Sequence, residues 1–257
     1  MSTLKTMIAA SILMAGCGLA SKHLEAAGTA VDLLQKSWPH DGMFGKFDKA
    51  SAQRGFQVYR EVCASCHSLN FVAFRNLADL GFSEDEVKAI AAEYEVVDGP
   101  DEQGDMFERP GKPSDGFPAP FANDNAARAS NGGALPPDLS LMAKARADGV
   151  NYLYSLLQGY QEPPAGFELS EGMNYNAYFP GHQIAMAEPL YEEAVEYSDG
   201  TEATIEQMTS DVTTFLTWTA EPKLEERKGT GLKVMMFLVI LTGLFYATKR
   251  KIWSDLH

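Results

Sequence analysis

Twenty residues near the C-terminus, Gly229 to Thr248, read GTGLKVMMFLVILTGLFYAT and carry one charged side chain, Lys233. As a helix this run is about 30 Å long, the thickness of a bilayer's hydrocarbon core. Lys249, Arg250 and Lys251 follow at once, then Trp253: a basic stop with an aromatic anchor at the interface. Lys233 lies near the entry end, where its long side chain can snorkel outward. A buried core helix seldom runs twenty apolar residues and ends in three cations. The chain is therefore predicted to divide into a head, residues 28–227, a transmembrane helix, 229–248, and a tail, 249–257.

The other end also carries a membrane signal. Lys5 precedes the apolar run Met7–Ala15, which is too short to span a bilayer and suits the core of a secretory leader. Small residues at Gly18, Ala20, Ala26 and Ala27 offer cleavage points, so residues 1–27 are read as a signal peptide. Basic residues flank the anchor on both sides, with Lys223, Arg227 and Lys228 before it, so their count does not orient it. The leader does: it places the head on the outer, periplasmic side of the cell membrane and the tail in the cytoplasm.

Charge separates the same regions. The net charge is −14; residues 1–27 contribute +1 and residues 228–257 contribute +4, which leaves −19 on residues 28–227. A head this acidic repels nucleic acid and anionic headgroups and attracts basic proteins in a salt-dependent way.

Within the head, residues 28–47 read as an irregular lead-in. From Asp48, Phe56, Tyr59, Val62 (or Cys63) and Cys66 recur at helical spacing, with Asp48 or Ser51 as cap. Gly55 inside that helix predicts a close crossing with another helix. Ser83 and Glu86 form a capping box for a helix over 83–95. Residues 98–140 and 160–200 are rich in Pro, Gly, Asp and Asn and are predicted to be ordered loops, with short helices over 141–147 and 151–159 between them. A last head helix is expected over 203–220, ending before Pro222.

The chemistry sits in CASCH, residues 63–67. Two thiols three residues apart on a helix point the same way, so both can add to the vinyl groups of one haem, and the adjacent His67 reaches its iron. A thioredoxin-like pair needs a strand–helix setting that the sequence lacks. A zinc site needs four ligands, and the remaining histidines, His23, His40, His182 and His257, have no finger spacing. One covalent haem c is the expectation. Candidates for the second axial position are Met43, Met106, Met142, Met173, Met186 and Met208, with His182 as a bis-histidine alternative. Met208 fits the apolar face of the last helix, whereas Met186 lies in PGHQIAMAEPLY, a loop bracketed by Pro180 and Pro189. That bracketing ranks Met186 first.

The segments RGFQVYREVCASCHSLNFVAFRNL, DMFERPGKPSDGFP, ARASNGGALPPDLS, YSLLQGYQEPPAGF, YNAYFPGHQIAMAEPLY and TFLTWTAEPKLEERKGTGLK together resemble the cytochrome c1 family. These are the haem subunits of the quinol–cytochrome c oxidoreductase, complex III. The resemblance runs from about Trp38 to Trp253. It implies a mostly α, class I-like cytochrome c fold with long loop insertions and one C-terminal transmembrane helix. It implies Cys63 and Cys66 as haem-binding residues, His67 and Met186 as axial iron ligands, and Arg128 as the partner of a haem propionate. It further implies one-electron transfer from a Rieske iron–sulfur protein to a cytochrome c, with cytochrome b handling the quinol, and no catalysis by the chain alone. Some members carry a disulfide in the head; here Gln161 and its neighbours offer no cysteine. Two acidic groups, Asp98, Asp101, Glu102, Asp105 and Glu108, and Glu188, Glu192, Glu193 and Glu196, are candidates for docking a basic cytochrome c. An independent anchored cytochrome c would share the haem but not cytochrome b. A peroxidase or gas-binding protein would need an open sixth position.

Overall fold

The computed structural model describes residues 31–254. The leader, its cleavage points and the last three residues of the tail lie outside the described residues. The head and anchor are mostly helical, as the sequence predicts.

The first helix, α1 (Lys49–Glu61), starts where Asp48 can cap it: the Asp48 carboxylate accepts from the amides of Ala50 and Ser51 at 3.0 and 3.2 Å. Those are donors that a helix start otherwise leaves unpaired. The α-helix ends at Glu61, earlier than the periodicity predicts. Cys63–Ser65 forms a tighter 3₁₀ turn instead, with the Cys66 and His67 amides both donating to the Cys63 carbonyl. In a 3₁₀ turn residues i and i+3 eclipse, so the two thiols still share a face.

A 3₁₀ segment, Phe74–Leu80, leads to α2 (Glu84–Ala92). The Ser83–Glu86 box is present with both of its bonds, at 3.3 and 2.7 Å. The helix is shorter than the expected 83–95 because the chain turns into a strand at Glu95. Strand β1 (Glu95–Asp98) pairs antiparallel with β2 (Phe107–Pro110), Val96 opposite Arg109. Strand β2 and helix α3 (Asp124–Ser130) stand where a loop is predicted over 98–140, and β1 runs from the end of the expected helix into it. The hairpin is held by Arg109, which binds Asp98 and also Asp115, at 2.6 Å, so one guanidinium ties the two strands to the following turn. Helices α4 (Met142–Ala145) and α5 (Gly149–Gln158) follow. The second expected loop contains a minimal pair, β3 (Asn174–Tyr175) with β4 (Gln183–Ile184).

Helix α6 (Ile205–Ala220) is the centre of the head, with twelve of its sixteen residues buried. It crosses α1 at Gly55, as the lone glycine predicts. A Cβ there would lie 2.0 Å from the Asp211 carbonyl oxygen and 2.8 Å from the Phe215 Cβ. With no side chain between them, the backbones touch. Beside the crossing, Asp211 is fully buried and accepts from Arg54 Nε at 2.8 Å, Ser51 Oγ at 2.7 Å and Gln207 Nε2 at 3.0 Å. A buried carboxylate is tolerable only when so paired. Phe56, Tyr59, Phe74, Phe117 and Phe215 pack around the same point with ring centroids 4.3–6.2 Å apart. Each fully buried aromatic or aliphatic side chain contributes about 1.5–3 kcal/mol by leaving water.

Helix α7 (Leu224–Trp253) begins five residues before the predicted span. Its apolar window has mean hydropathy 1.8 and none of it is buried. A soluble protein's core helix would be covered; this one exposes Val234 through Ile240 along its length. The helix is long and apolar enough to cross a membrane, and the first turn alone, through Leu224, belongs to the core.

Candidate functional site

The core just described holds the CASCH turn from one side. Cys63 packs against the aromatic cluster, and Tyr59, one helical turn before it, donates its hydroxyl to the His67 carbonyl at 3.2 Å. Burial pushes the Cys63 thiol up to about 12.

From the other side comes the segment after α3. The His67 ring makes a 2.8 Å hydrogen bond through Nδ1 to the Pro137 carbonyl. A carbonyl only accepts, so Nδ1 carries the proton and Nε2 keeps its lone pair for a metal. Burial also holds the imidazole below its ordinary pKa, favouring the neutral, ligating form. The neighbour of Pro137 reinforces this arrangement. Asp138 accepts from Ser68 Oγ and the Asn70 amide, both at 2.8 Å, and from the Ser140 amide at 2.9 Å. Ser140 Oγ accepts from the Phe71 amide, and the Leu139 amide donates to Ser68. Residues 67–71 are thus laced to residues 137–140. Sequence reasoning found His67 but missed Pro137 and Asp138; a spacing of seventy residues leaves no periodic signal.

The methionines separate by environment. Met208 is fully buried among α6 core residues and Met142 nearly so; Met43 and Met106 are mostly exposed. Met186 and Met173 are half-buried. Around Met186 the backbone is fixed: its carbonyl accepts from Tyr160 Oη at 3.1 Å and Asn174 Nδ2 at 3.3 Å. It follows β4 by two residues, so the strand pair sets its approach. His182 instead stacks on Tyr175 with centroids 5.7 Å apart and takes a left-handed backbone, φ +59°. Arg128 is exposed at the end of α3. One guanidinium nitrogen donates to the Gly133 carbonyl at 3.1 Å, and no described carboxylate pairs with it. Among the described residues, no three His, Cys, Asp or Glu side chains gather as metal ligands.

A profile of the Cytochrome C1 family matches residues 38–256. The chain belongs to the cytochrome c1 family. A cytochrome c1 of Rhodospirillum rubrum is 48% identical, with 98% of this chain and 97% of that protein aligned. Similarity to "Cytochrome c1 1, heme protein, mitochondrial" of Arabidopsis thaliana is 54% identity over 85% of this chain and 71% of that one. A protein of Bradyrhizobium diazoefficiens called "Cytochrome b/c1" is 51% identical over 86% of this chain, which spans only 35% of that longer protein. The family match begins at Trp38 and takes in CASCH, the 128–140 segment and the Met186 loop.

Proposed function

We propose that the chain is the haem-bearing, membrane-anchored electron carrier of a quinol–cytochrome c oxidoreductase, accepting electrons from a Rieske iron–sulfur protein and passing them to a cytochrome c. The observation that carries this reading is the His67 ring, its Nδ1 committed to Pro137 and its Nε2 left free, beside two thiols on one 3₁₀ turn. Relatives named as heme proteins support the cofactor, and the relative named for both b and c1 supports cytochrome b as a partner.

Cys63 and Cys66 would hold one haem by thioethers, His67 and Met186 would be its axial ligands, and Arg128 would meet a propionate. When bound, the haem supplies a single Fe(III)/Fe(II) couple. The chain's own residues position and dock. The Pro137 carbonyl orients His67; Tyr160 and Asn174 fix the backbone from which the Met186 side chain extends. Of the two acidic groups, Glu188, Glu192, Glu193 and Glu196 suit docking better. All four are exposed and lie within ten residues of Met186, whereas Asp98 of the other group is engaged by Arg109. The anchor and the leader support a head on the periplasmic side, with the C-terminus in the cytoplasm.

A decisive test is potentiometric titration of the Met186→Leu variant in isolated membranes, with carbon monoxide added to the reduced form. Loss of a thioether ligand lowers the reduction potential and lets carbon monoxide bind. An unchanged potential in a protein that still rejects carbon monoxide would remove Met186 from the ligand set.

A further inference from the structure

Where the anchor leaves the head, a cavity of about 270 Å³ opens, walled by His40, Gly42, Lys144, Glu221, Leu224 and Lys228. Three features of it point to a ligand. Lys228 lies in its wall at the edge of the anchor and donates one hydrogen bond, to the His40 carbonyl, which leaves two N–H groups of its ammonium over. Lys144 approaches from α4; Glu221 Oε2 is 3.5 Å from its ammonium, while the other oxygen of that carboxylate, Oε1, pairs with Arg227. His40 is buried in the same wall between the rings of Trp38 and Phe47, with neither ring nitrogen bonded. Two cations with N–H groups to spare and an unbonded imidazole thus border one hollow, beside the carboxylates of Asp41 and Glu221.

The location says which acceptor. Lys228 precedes the first exposed apolar residue of the span, Val234, by six positions, about 9 Å of helix. A headgroup layer is about 5–8 Å thick on each side, so Lys228, one residue before the predicted span 229–248, stands within it. The loop that forms the opposite wall is bound to the anchor's root: the Phe47 amide donates to Glu225 at 3.0 Å. The same loop exposes Met43 and Phe44, 61% and 76% accessible, large apolar groups that a water-facing loop does not need. Beside the root of an apolar helix, such side chains are placed to enter the interface.

We propose that this cavity binds the phosphate of a phospholipid headgroup, with Lys144 and Lys228 as its cationic donors and Met43 and Phe44 lying beside the lipid's upper acyl region. The site rests on the anchor reading but not on the haem.

The full chain carrying its haem, stripped of lipid in neutral detergent, is titrated with dihexanoyl phosphatidylglycerol below its micelle concentration and, separately, with inorganic phosphate. Bound molecules are counted by native mass spectrometry. One tightly held lipid is expected, weakened at least tenfold by Lys144→Gln and by Lys228→Gln, with Lys88→Gln, on the far surface of α2, unchanged. Equal retention by the wild type and both variants would overturn the site, as would inorganic phosphate binding as tightly as the lipid. Should Lys228→Gln unfold the loop by losing its bond to His40, Lys144→Gln decides alone, since it touches only Glu221. Failure of the anchor reading is a separate result: the chain would stay in solution without detergent.

Discussion

The two flanks of the proposed haem are built differently. The His67 flank is a short piece of chain laced to a second one: Asp138, Leu139 and Ser140 bond to residues 68–71 while Pro137 holds the ring itself. The Met186 flank is a loop steadied at one carbonyl by two side chains, Tyr160 and Asn174, and at its entry by a pair of two-residue strands. The first is stiff and backed by the core; the second is attached at points. If the proposed ligands hold, such a division would let one side retain the cofactor while the other adjusts its potential.

The largest effect should come from the stiff flank. Replacing Cys63 and Cys66 together by Ala is expected to abolish haem that survives denaturation, read by peroxidase staining of the chain on a denaturing gel. Surviving haem would mean that the thiols are not its attachment. Next in size is Gly55→Ala. A methyl 2.0 Å from a backbone oxygen cannot be accommodated without separating α1 from α6, so the loss should reach or exceed the upper end of the usual overpacking cost, about 3 kcal/mol. Thermal unfolding followed at the Soret band would show both flanks failing together.

A paired measurement sharpens the contrast. Asp138→Ala strands several donors at once and should cost about 2–3 kcal/mol, whereas Tyr160→Phe removes one bond and should cost about 1 kcal/mol. Chemical denaturation of each gives the order. A costlier Tyr160→Phe would make the Met186 flank the stiffer one. The smallest effect lies outside both flanks. The hydrogen bond from Arg109 holds the Asp115 carboxyl at about 2, below its ordinary 3.8. A depressed acid stabilises the fold above its unfolded pKa, and that contribution is lost as pH falls from 3.8 through 2. Amide exchange in the 95–110 hairpin should quicken over that window, while exchange at α6 should not.

Legibility in the sequence followed the range of the interaction. Local signals came through: the Asp48 cap, the Ser83–Glu86 box and the long apolar helix near the C-terminus. Gly55 gave away a long-range contact only because a glycine in mid-helix demands a reason. The hairpin at 95–110 stayed hidden because its strands are four residues long and its stability rests on Arg109 reaching two carboxylates, a contact with no period. The early end of α1 was hidden for another reason, since a 3₁₀ turn keeps the i, i+3 pattern that a helix would show. Pro137 and Asp138 were unreadable as partners of the His67 segment, although PPDLS stood out as a motif; the family match carries that segment without saying what it touches.

Three residues, Glu221 to Lys223, separate the central core helix from the anchor, and Phe47 and His40 grip the anchor's first turns from the side. Such a joint has no slack. Two side bonds and a three-residue link set the angle at which the head leaves its long apolar helix, so a turn of the helix would carry the head with it.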